Sequence, residues 1–422
     1  MAERLDIVVV TGEYPPAIGG VGDYTRQLAR ALIAKGHWIS VLCPASTEHE
    51  PEPDEPTIIS SGPAWNWQTL RRALRIAQGL APTLVHIQYQ TGAYGMHPAI
   101  NLLPELLRRL PSRPRIVVTA HDLRLPYLFP KADLLRTWLT RRLFEAADAV
   151  IVTNEADERR LRGREPADRR LFSPRAGIRP PVYRIPIGSN IPLAPPADFD
   201  RATWRAQQGL APDDVLVGYF GLLSRTKGVL ELVQALATLP SRFKLLIIGG
   251  AAPLPDDERY AAEVQSCIAA HGLSERVKIT GPCSEAEVSG WLMATDLVAL
   301  PFHDGASFRR GSLLAALAHG VPVVTTTPAA RLDPPLVGDV HALLVSPSQA
   351  VELRTALERV AADAALRERL AVEGPALAAK FSWPDIAAHH ETVYHTLVTV
   401  GSTGGSRTHG ESGASKGAEL RQ

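Results

Sequence analysis

Short continuous apolar runs alternate with helical periods along most of the chain. Residues 7–10, Ile-Val-Val-Val, form one such run, as a strand buried on both faces of a parallel sheet requires. Residues 24–35 then switch to helical spacing, with Leu28, Leu32 and Ile33 on one face, Arg26, Arg30 and Lys35 elsewhere, and Gly36 as the stop. The same reasoning predicts strands at 38–43, 84–87, 116–119 and 149–152, separated by helices at 67–78, 98–109 and 134–144. Strands alternating with helices imply βαβ units and a parallel sheet covered on both faces.

The cycle restarts after a loop rich in Arg and Pro over 162–196. Strands are predicted at 215–220, 244–248, 277–280, 297–300 and 322–325, with helices at 229–239, 258–271, 284–294 and 312–318 between them. The expected fold class is α/β, with two doubly wound parallel-sheet domains facing across a cleft. Residues 1–190 form the first domain and 191–378 the second, with the boundary near 187–196. The Gly- and Ser-rich segment 401–422 reads as a disordered tail. Ligands of open α/β sheets sit beyond the carboxyl ends of the strands, so one ligand can bridge both domains.

Composition narrows the class. A chain of 422 residues, 45% hydrophobic and 21% charged, can bury two full cores. A net charge of +1 gives no reason to expect nucleic acid as a partner. Cys43, Cys267 and Cys283 share no metal-ligand or redox spacing. The start, MAERLDIVVV, lacks the build of a signal peptide, and no apolar run reaches membrane-spanning length. A cytoplasmic protein is expected, with contact to the inner face of the membrane left open. A helix around 128–144 carries Trp138 and several Leu on one face and Arg136, Arg141 and Arg142 elsewhere. It reads as core-packed with a solvated basic face, ahead of a membrane-surface helix.

Three loops carry candidate chemistry. After the first strand, Gly19, Gly20 and Gly22 permit close backbone approach at a helix start, whose free N–H groups favour an anion or sugar oxygens. The spacing is not GxGxxG, so a dinucleotide fingerprint is missing. In the second half, Ser224-Arg225-Thr226-Lys227-Gly228 lies between strand and helix, where Lys227 is placed to pair with phosphate. The third runs from His303 and Asp304 through Ser307, Phe308, Arg309, Arg310, Gly311 and Ser312 into a small-residue helix. Arginines at such a helix start suit a diphosphate. His121 ends a strand at the cleft mouth. His86 and His97 read as structural or acceptor-side. Asp198-Phe199-Asp200 reads as a helix-start or turn feature, not a metal site.

These strings resemble the family-4 retaining glycosyltransferases with the GT-B fold. The resemblance rests on Pro15-Pro16-x-x-Gly19-Gly20-Val21-Gly22-x-Tyr24, Ala34-x-Gly36-His37 and Thr119-x-His121-Asp122. It continues through Ala147-Asp148-Ala149-Val150-Ile151-Val152-Thr153, Ser224-x-x-Lys227-Gly228, Gly281, Ala294-x-Asp296 and the stretch 316–324. Phe381-Ser382-Trp383 is similar to the start of the family's closing helices, which implies that 379–400 packs back on the first domain.

The resemblance implies a nucleotide-sugar donor, a glycan, lipid-linked or small-molecule acceptor, no cofactor and no metal. It places Gly20 at the donor diphosphate or sugar, Lys227 at the diphosphate, His121 near the transferred sugar and the acceptor, and the backbone of 307–310 at the sugar or phosphate. Gly19, Gly22, Arg225, Gly281, Phe308, Gly311 and Ser312 complete the expected donor site. Three positions depart from the family. Ser307 and Ala315 stand where paired glutamates are usual, and Leu222 stands where an Arg is usual. Asp304 is the candidate replacement for a carboxylate and, with His121, a candidate catalytic residue; Arg309 or Arg310 is the candidate for the basic group, with Arg225 a weaker substitute. A hexosyl-transferring enzyme is therefore expected. A sugar-nucleotide-binding protein on the same fold is the alternative, and a nucleotide-sugar epimerase fits the strings less well.

Overall fold

The computed structural model describes residues 3–17, 19–44, 54–123, 133–163, 177–251 and 255–403. The predicted helix segment 128–132 and the tail beyond residue 403 lie outside these. In the first half, β1 (Asp6–Thr11), β2 (Trp38–Cys43), β3 (Thr57–Ser60), β4 (Leu84–Tyr89), β5 (Arg115–Ala120), β6 (Ala149–Val152) and β7 (Val182–Arg184) form one parallel sheet in the order β3-β2-β1-β4-β5-β6-β7. The strands at its centre are buried almost along their length as double coverage demands; β1 and β5 are built on apolar runs, while β4 also buries His86 and Gln88.

Helix α1 (Gly20–Ala34) connects β1 to β2 on one face. On the other face lie α2 (Trp67–Leu80), α3 (Ala99–Leu107) and α4 (Asp133–Glu145), with α2 against α3 and α3 against α4. Asn66 caps α2, its side chain accepting from the Gln68 and Thr69 amides at 2.8 and 3.0 Å. Helix α5 (Glu155–Leu161) follows β6 and is capped by Asn154.

A linker leads to α6 (Arg201–Gln207), capped by Asp200, whose carboxylate accepts from Thr203 N at 2.8 Å. The Asp198–Asp200 string thus serves a helix start. The second parallel sheet contains β8 (Val215–Phe220), β9 (Phe243–Ile248), β10 (Val277–Ile279), β11 (Leu297–Leu300), β12 (Val323–Thr326) and β13 (Leu343–Val345), in the order β10-β9-β8-β11-β12-β13. Its helices are α7 (Val229–Thr238), α8 (Pro255–Ala270), α9 (Glu285–Ala294), α10 (Gly311–Ala318), α11 (Ala350–Ala362) and α12 (Ala364–Ala378). Asp296 ties this domain at its base. It accepts from Leu216 N at 2.7 Å and pairs with Arg201 and Arg205 at 2.6 and 2.9 Å.

The last helix, α13 (Trp383–Thr403), packs on α1. Its Ile386, Ala387, Val393 and Tyr394 belong to the first domain's core. Buried polar pairs fix the dock: Tyr24 Oη lies 3.2 Å from His390 Nε2, and Tyr394 Oη lies 2.8 Å from His86 Nδ1. Both sheets reverse strand order in the middle, at β1/β4 and β8/β11. Those switch points face the space between the domains, where such folds hold ligands.

Three strands were not predicted: β3, β7 and β13. Each is only three or four residues long and stands at the edge of its sheet. β7 falls inside the stretch read as an Arg- and Pro-rich loop. Helices α5, α6, α11 and α12 were also unassigned.

Candidate active site

The loops after β1, β5, β8 and β11 converge between the domains. After β1, Glu13 folds back onto the start of α1, where its Oε1 accepts from Val21 N at 2.9 Å and Gly22 N at 3.2 Å. Two of the amides expected to be open to an anion are thus already satisfied by a carboxylate of the same loop. Gly19 is required by that arrangement, because a Cβ there would fall on the Glu13 carboxylate. Gly22 packs on the Tyr14 backbone, its would-be Cβ 3.1 Å from Tyr14 Cα. Gly20 differs: nothing lies within 4 Å of a Cβ there, so its backbone borders open space.

His121 follows β5. Its Nε2–H donates to Gln88 Oε1 at 2.8 Å, and its ring meets Tyr24 edge-on, centroids 4.7 Å apart. Burial, then the neighbouring Arg309 and His390, push its pKa down to about 3. The imidazole is therefore neutral near pH 7, with the lone pair on Nδ1. Behind it, His86 is fully buried, with Thr119 Oγ1 2.7 Å from Nε2. His97 accepts from Ala99 N at 3.2 Å and meets Trp67 edge-on, centroids 5.3 Å apart.

In the second domain, Lys227 precedes Gly228, whose φ of +69 and contact with the Pro301 backbone leave no room for a side chain. The Lys227 ammonium lies 5.3 Å from the Phe302 ring centroid, and the Arg310 guanidinium lies 4.8 Å from the same ring. Burial, then the nearby Arg310 charge, bring Lys227 down to about 8. Asp304 is the carboxylate that balances this pair. Arg310 Nη2 donates to both of its oxygens, 2.6 Å to Oδ2. The candidate carboxylate Asp304 is thus held in an ion pair with Arg310. Arg310 also occupies the cap position of α10, whose first-turn amides start at Gly311 and Ser312.

Arg309 points the other way. Its Nη2 donates to the His121 carbonyl at 3.1 Å and lies 3.7 Å from Asp122 Oδ1, so it crosses from the second domain to the first. Ser307 shapes the loop, its Oγ accepting from Arg309 N at 3.3 Å and its carbonyl from Arg310 N at 3.0 Å. Phe308 is buried against Phe381, centroids 4.6 Å apart, as part of the hydrophobic core. Ala315 is fully buried in α10, and Leu222 is 41% exposed. Arg225 is drawn away to α8, where it pairs with Glu263. Gly281, with φ of +71, borders open space beside Gly249 and Gly250, two glycines that the sequence reading passed over.

A cavity of about 570 Å³ opens beside Arg309, between the ends of β6 and β7 and the loop 304–310. Arg184, Arg331 and Lys380 line it, none of which the motifs indicated. Arg184 pairs across the cleft with Asp333 at 2.8 Å. Arg331 and Lys380 form no ion pair among the described residues.

One group away from the cleft has the residue types of a metal site. His37, Glu391 and His395 bring ligand atoms within 4.8 Å of one another. Yet Leu5 N–H donates to His37 Nδ1 at 3.2 Å, so the His37 proton sits on Nε2, 3.3 Å from Glu391 Oε1. The other Glu391 oxygen holds Lys35 at 2.9 Å. A nitrogen bearing a proton is no ligand, and the group acts as a clamp between α13 and the first domain.

Residues 18–202 match the model of Glycosyltransferase Family 4, and residues 214–363 match that of Glycosyl transferases group 1. Among curated proteins, a D-inositol 3-phosphate glycosyltransferase of Xylanimonas cellulosilytica is 31% identical over 219 residues, covering 50% of this chain and 51% of that protein. The chain spans about half the length of the first curated relatives it matches. The protein of the same name from Jonesia denitrificans is 23% identical over 403 residues, covering 89% of this chain and 91% of that protein. Two solved structures are similar in fold. A sucrose-phosphate synthase from Thermosynechococcus elongatus has a TM-score of 0.73 at 24% identity, over 94% of this chain and 100% of that one. Anabaena HepE in complex with UDP has a TM-score of 0.69 at 20% identity, over 93% and 100%. Two consecutive family matches on a two-domain GT-B fold place this chain among the family-4, group-1 glycosyltransferases.

Proposed function

We propose that this chain transfers a hexose-type sugar, with retention, from a nucleotide-sugar donor to an acceptor held in the cleft. The observation that carries the reading is the pair Lys227 and Arg310, both set on the buried Phe302 ring beside the start of α10, with Asp304 paired to Arg310. Such a site has surplus positive charge where a departing diphosphate gathers negative charge, and stabilising that group is electrostatic work that needs no metal. Arg310 supplies the basic group missing at Leu222, and the α10 amides add to it. The neutral His121 offers an Nδ1 lone pair to a sugar hydroxyl. A UDP-type donor is favoured because the HepE structures carry UDP and UDP-glucose.

The acceptor is assigned to the cavity beside Arg309. The relatives are named for an inositol phosphate acceptor, and Arg331 and Lys380, which form no ion pair among the described residues, offer cations to such an anion. The test is a melting-temperature screen with UDP, UDP-glucose and other nucleotide sugars, followed by UDP release in the presence of phosphorylated polyols. A ligand that binds the folded state raises the melting temperature. No shift with any nucleotide or nucleotide sugar sinks the reading. The binding-only alternative rests on Ser307 and Ala315, which put no carboxylate in the usual places. Donor binding with no transfer or hydrolysis decides in its favour.

A further inference from the structure

We propose that the outer face of the α2–α3–α4 layer docks on an anionic lipid bilayer. These three helices lie side by side on one face of the first sheet, so their outward surfaces form one continuous side of the molecule. Helix α2 has no carboxylate in its sequence, and its Arg71, Arg72 and Arg75 are all exposed with no ion pair among the described residues. Arg109 and Arg142 extend the basic surface and share Glu105 between them. The whole chain carries a net charge of only +1, so this side concentrates positive charge that is balanced elsewhere.

Apolar side chains stand among these cations. Trp67 is 47% exposed, Trp138 50%, Leu80 44% and Met96 37%. Trp67 meets His97 edge-on and the Arg142 guanidinium lies over the Trp138 ring, so both rings are held at the surface rather than folded into the core. Exposed indoles between arginines match the headgroup level of a membrane, where an amphipathic ring has one wet and one apolar side. A nucleic acid or acidic polysaccharide would satisfy the arginines but gives Leu80 and Met96 nothing apolar to enter. Among the described residues no helix is long and apolar enough to cross a bilayer, so the contact is lateral. Trp67 starts α2 at the carboxyl edge of the sheet, the edge that carries the cleft, so docking sets the cleft mouth near the bilayer.

The test uses the full chain and vesicles of phosphatidylcholine with and without phosphatidylglycerol. The wild-type protein should sediment with the mixed vesicles, stay in solution with phosphatidylcholine alone, and detach as salt rises. Replacing all three of Arg71, Arg72 and Arg75 by Ser should weaken vesicle binding roughly a hundredfold, each arginine contributing a factor near five. Replacing them by Lys should keep most of it. UDP affinity and melting temperature should be unchanged in both, because the three side chains are exposed and away from the cleft. Trp67→Ser should weaken binding to the mixed vesicles even at low salt. A wild-type protein that ignores mixed vesicles overturns the proposal, as does a triple Ser variant that binds them equally well. Binding to polyuridylate that is lost in the triple Ser variant, without vesicle binding, points to a polyanion instead and also overturns it. The outcome is independent of donor binding, since no nucleotide sugar takes part.

Discussion

Arg309 of the second domain donates to the main-chain carbonyl of His121 in the first, 3.1 Å across the cleft. Its neighbour Arg310 turns instead to Asp304 and the Phe302 ring. Two adjacent arginines therefore divide the work that either was expected to do: one joins the domains, and the other adds charge at the proposed diphosphate site.

That division gives a double comparison. Arg310→Ala should weaken UDP binding, while Arg309→Ala should leave UDP affinity near wild type and lower kcat. Losing a charge-assisted hydrogen bond costs on the order of 1.5–3 kcal/mol, so each loss should be roughly tenfold or more. Titration calorimetry and steady-state kinetics separate the two. The reverse pattern would show that Arg309 is the phosphate ligand.

Lys227 supplies a pH signature. Its ammonium, depressed by burial to about 8, is charged below that value and neutral above it. A diphosphate needs the charged form, so UDP affinity should fall as pH rises through about 8. Lys227→Arg should flatten this dependence, because a guanidinium stays charged. Lys227→Ala should weaken binding at pH 7 with little change in melting temperature. Affinity that is flat with pH in the wild type removes Lys227 from the site.

The buried histidines should make the fold acid-labile. Burial lowers His121 to about 3 and His390 to about 4, and holds His86 well below its ordinary 6.5. The unfolded chain binds protons at these groups below 6.5 and the folded chain does not, so stability falls as pH drops from 6.5 toward 4. Each histidine contributes up to about 1.4 kcal/mol per pH unit in that window. Denaturant midpoints measured at pH 7 and pH 5 check it, and equal midpoints contradict the buried, neutral assignment.

The glycine loop allows a contrast between fold and binding. Gly19→Ala must displace Glu13 from the α1 amides and should lower stability by on the order of 1–2 kcal/mol, the cost of a lost helix cap. Gly20→Ala meets open space and should leave the melting temperature unchanged while reducing UDP affinity. A Gly20→Ala protein with full affinity would place the donor elsewhere.

Turnover should survive excess EDTA, since Lys227, Arg310 and the α10 amides can stabilise the leaving group without a metal. Complete loss of turnover restored by magnesium or manganese refutes this.

Much of the architecture was legible along the chain. Central strands such as β1 and β11 are buried on both sides and announce themselves as unbroken apolar runs. Helices such as α2 carry their buried face as periodicity, and Gly36 marks the end of α1. The edge strands β3, β7 and β13 were not legible, because a short strand open on one side has neither a long run nor a clean alternation. Motif order was enough to identify the family and to pick out the loops at 19–22, 224–228 and 303–312.

The sequence by itself determined the alternation of the central strands and their long helices, the two-domain α/β class and the loops that hold glycine and basic residues at strand ends. These are properties of neighbours along the chain, where burial writes a local period. Only the tertiary structure decided which partner each polar side chain took. Glu13 turned back on Val21 and Gly22, Arg309 met His121 188 positions away, and His390 met Tyr24 366 positions away. Long charged side chains can reach several loops, and their choice depends on which loops the two sheets bring face to face. No local period records that, because the pairing is set by the packing of domains and of the returning helix α13.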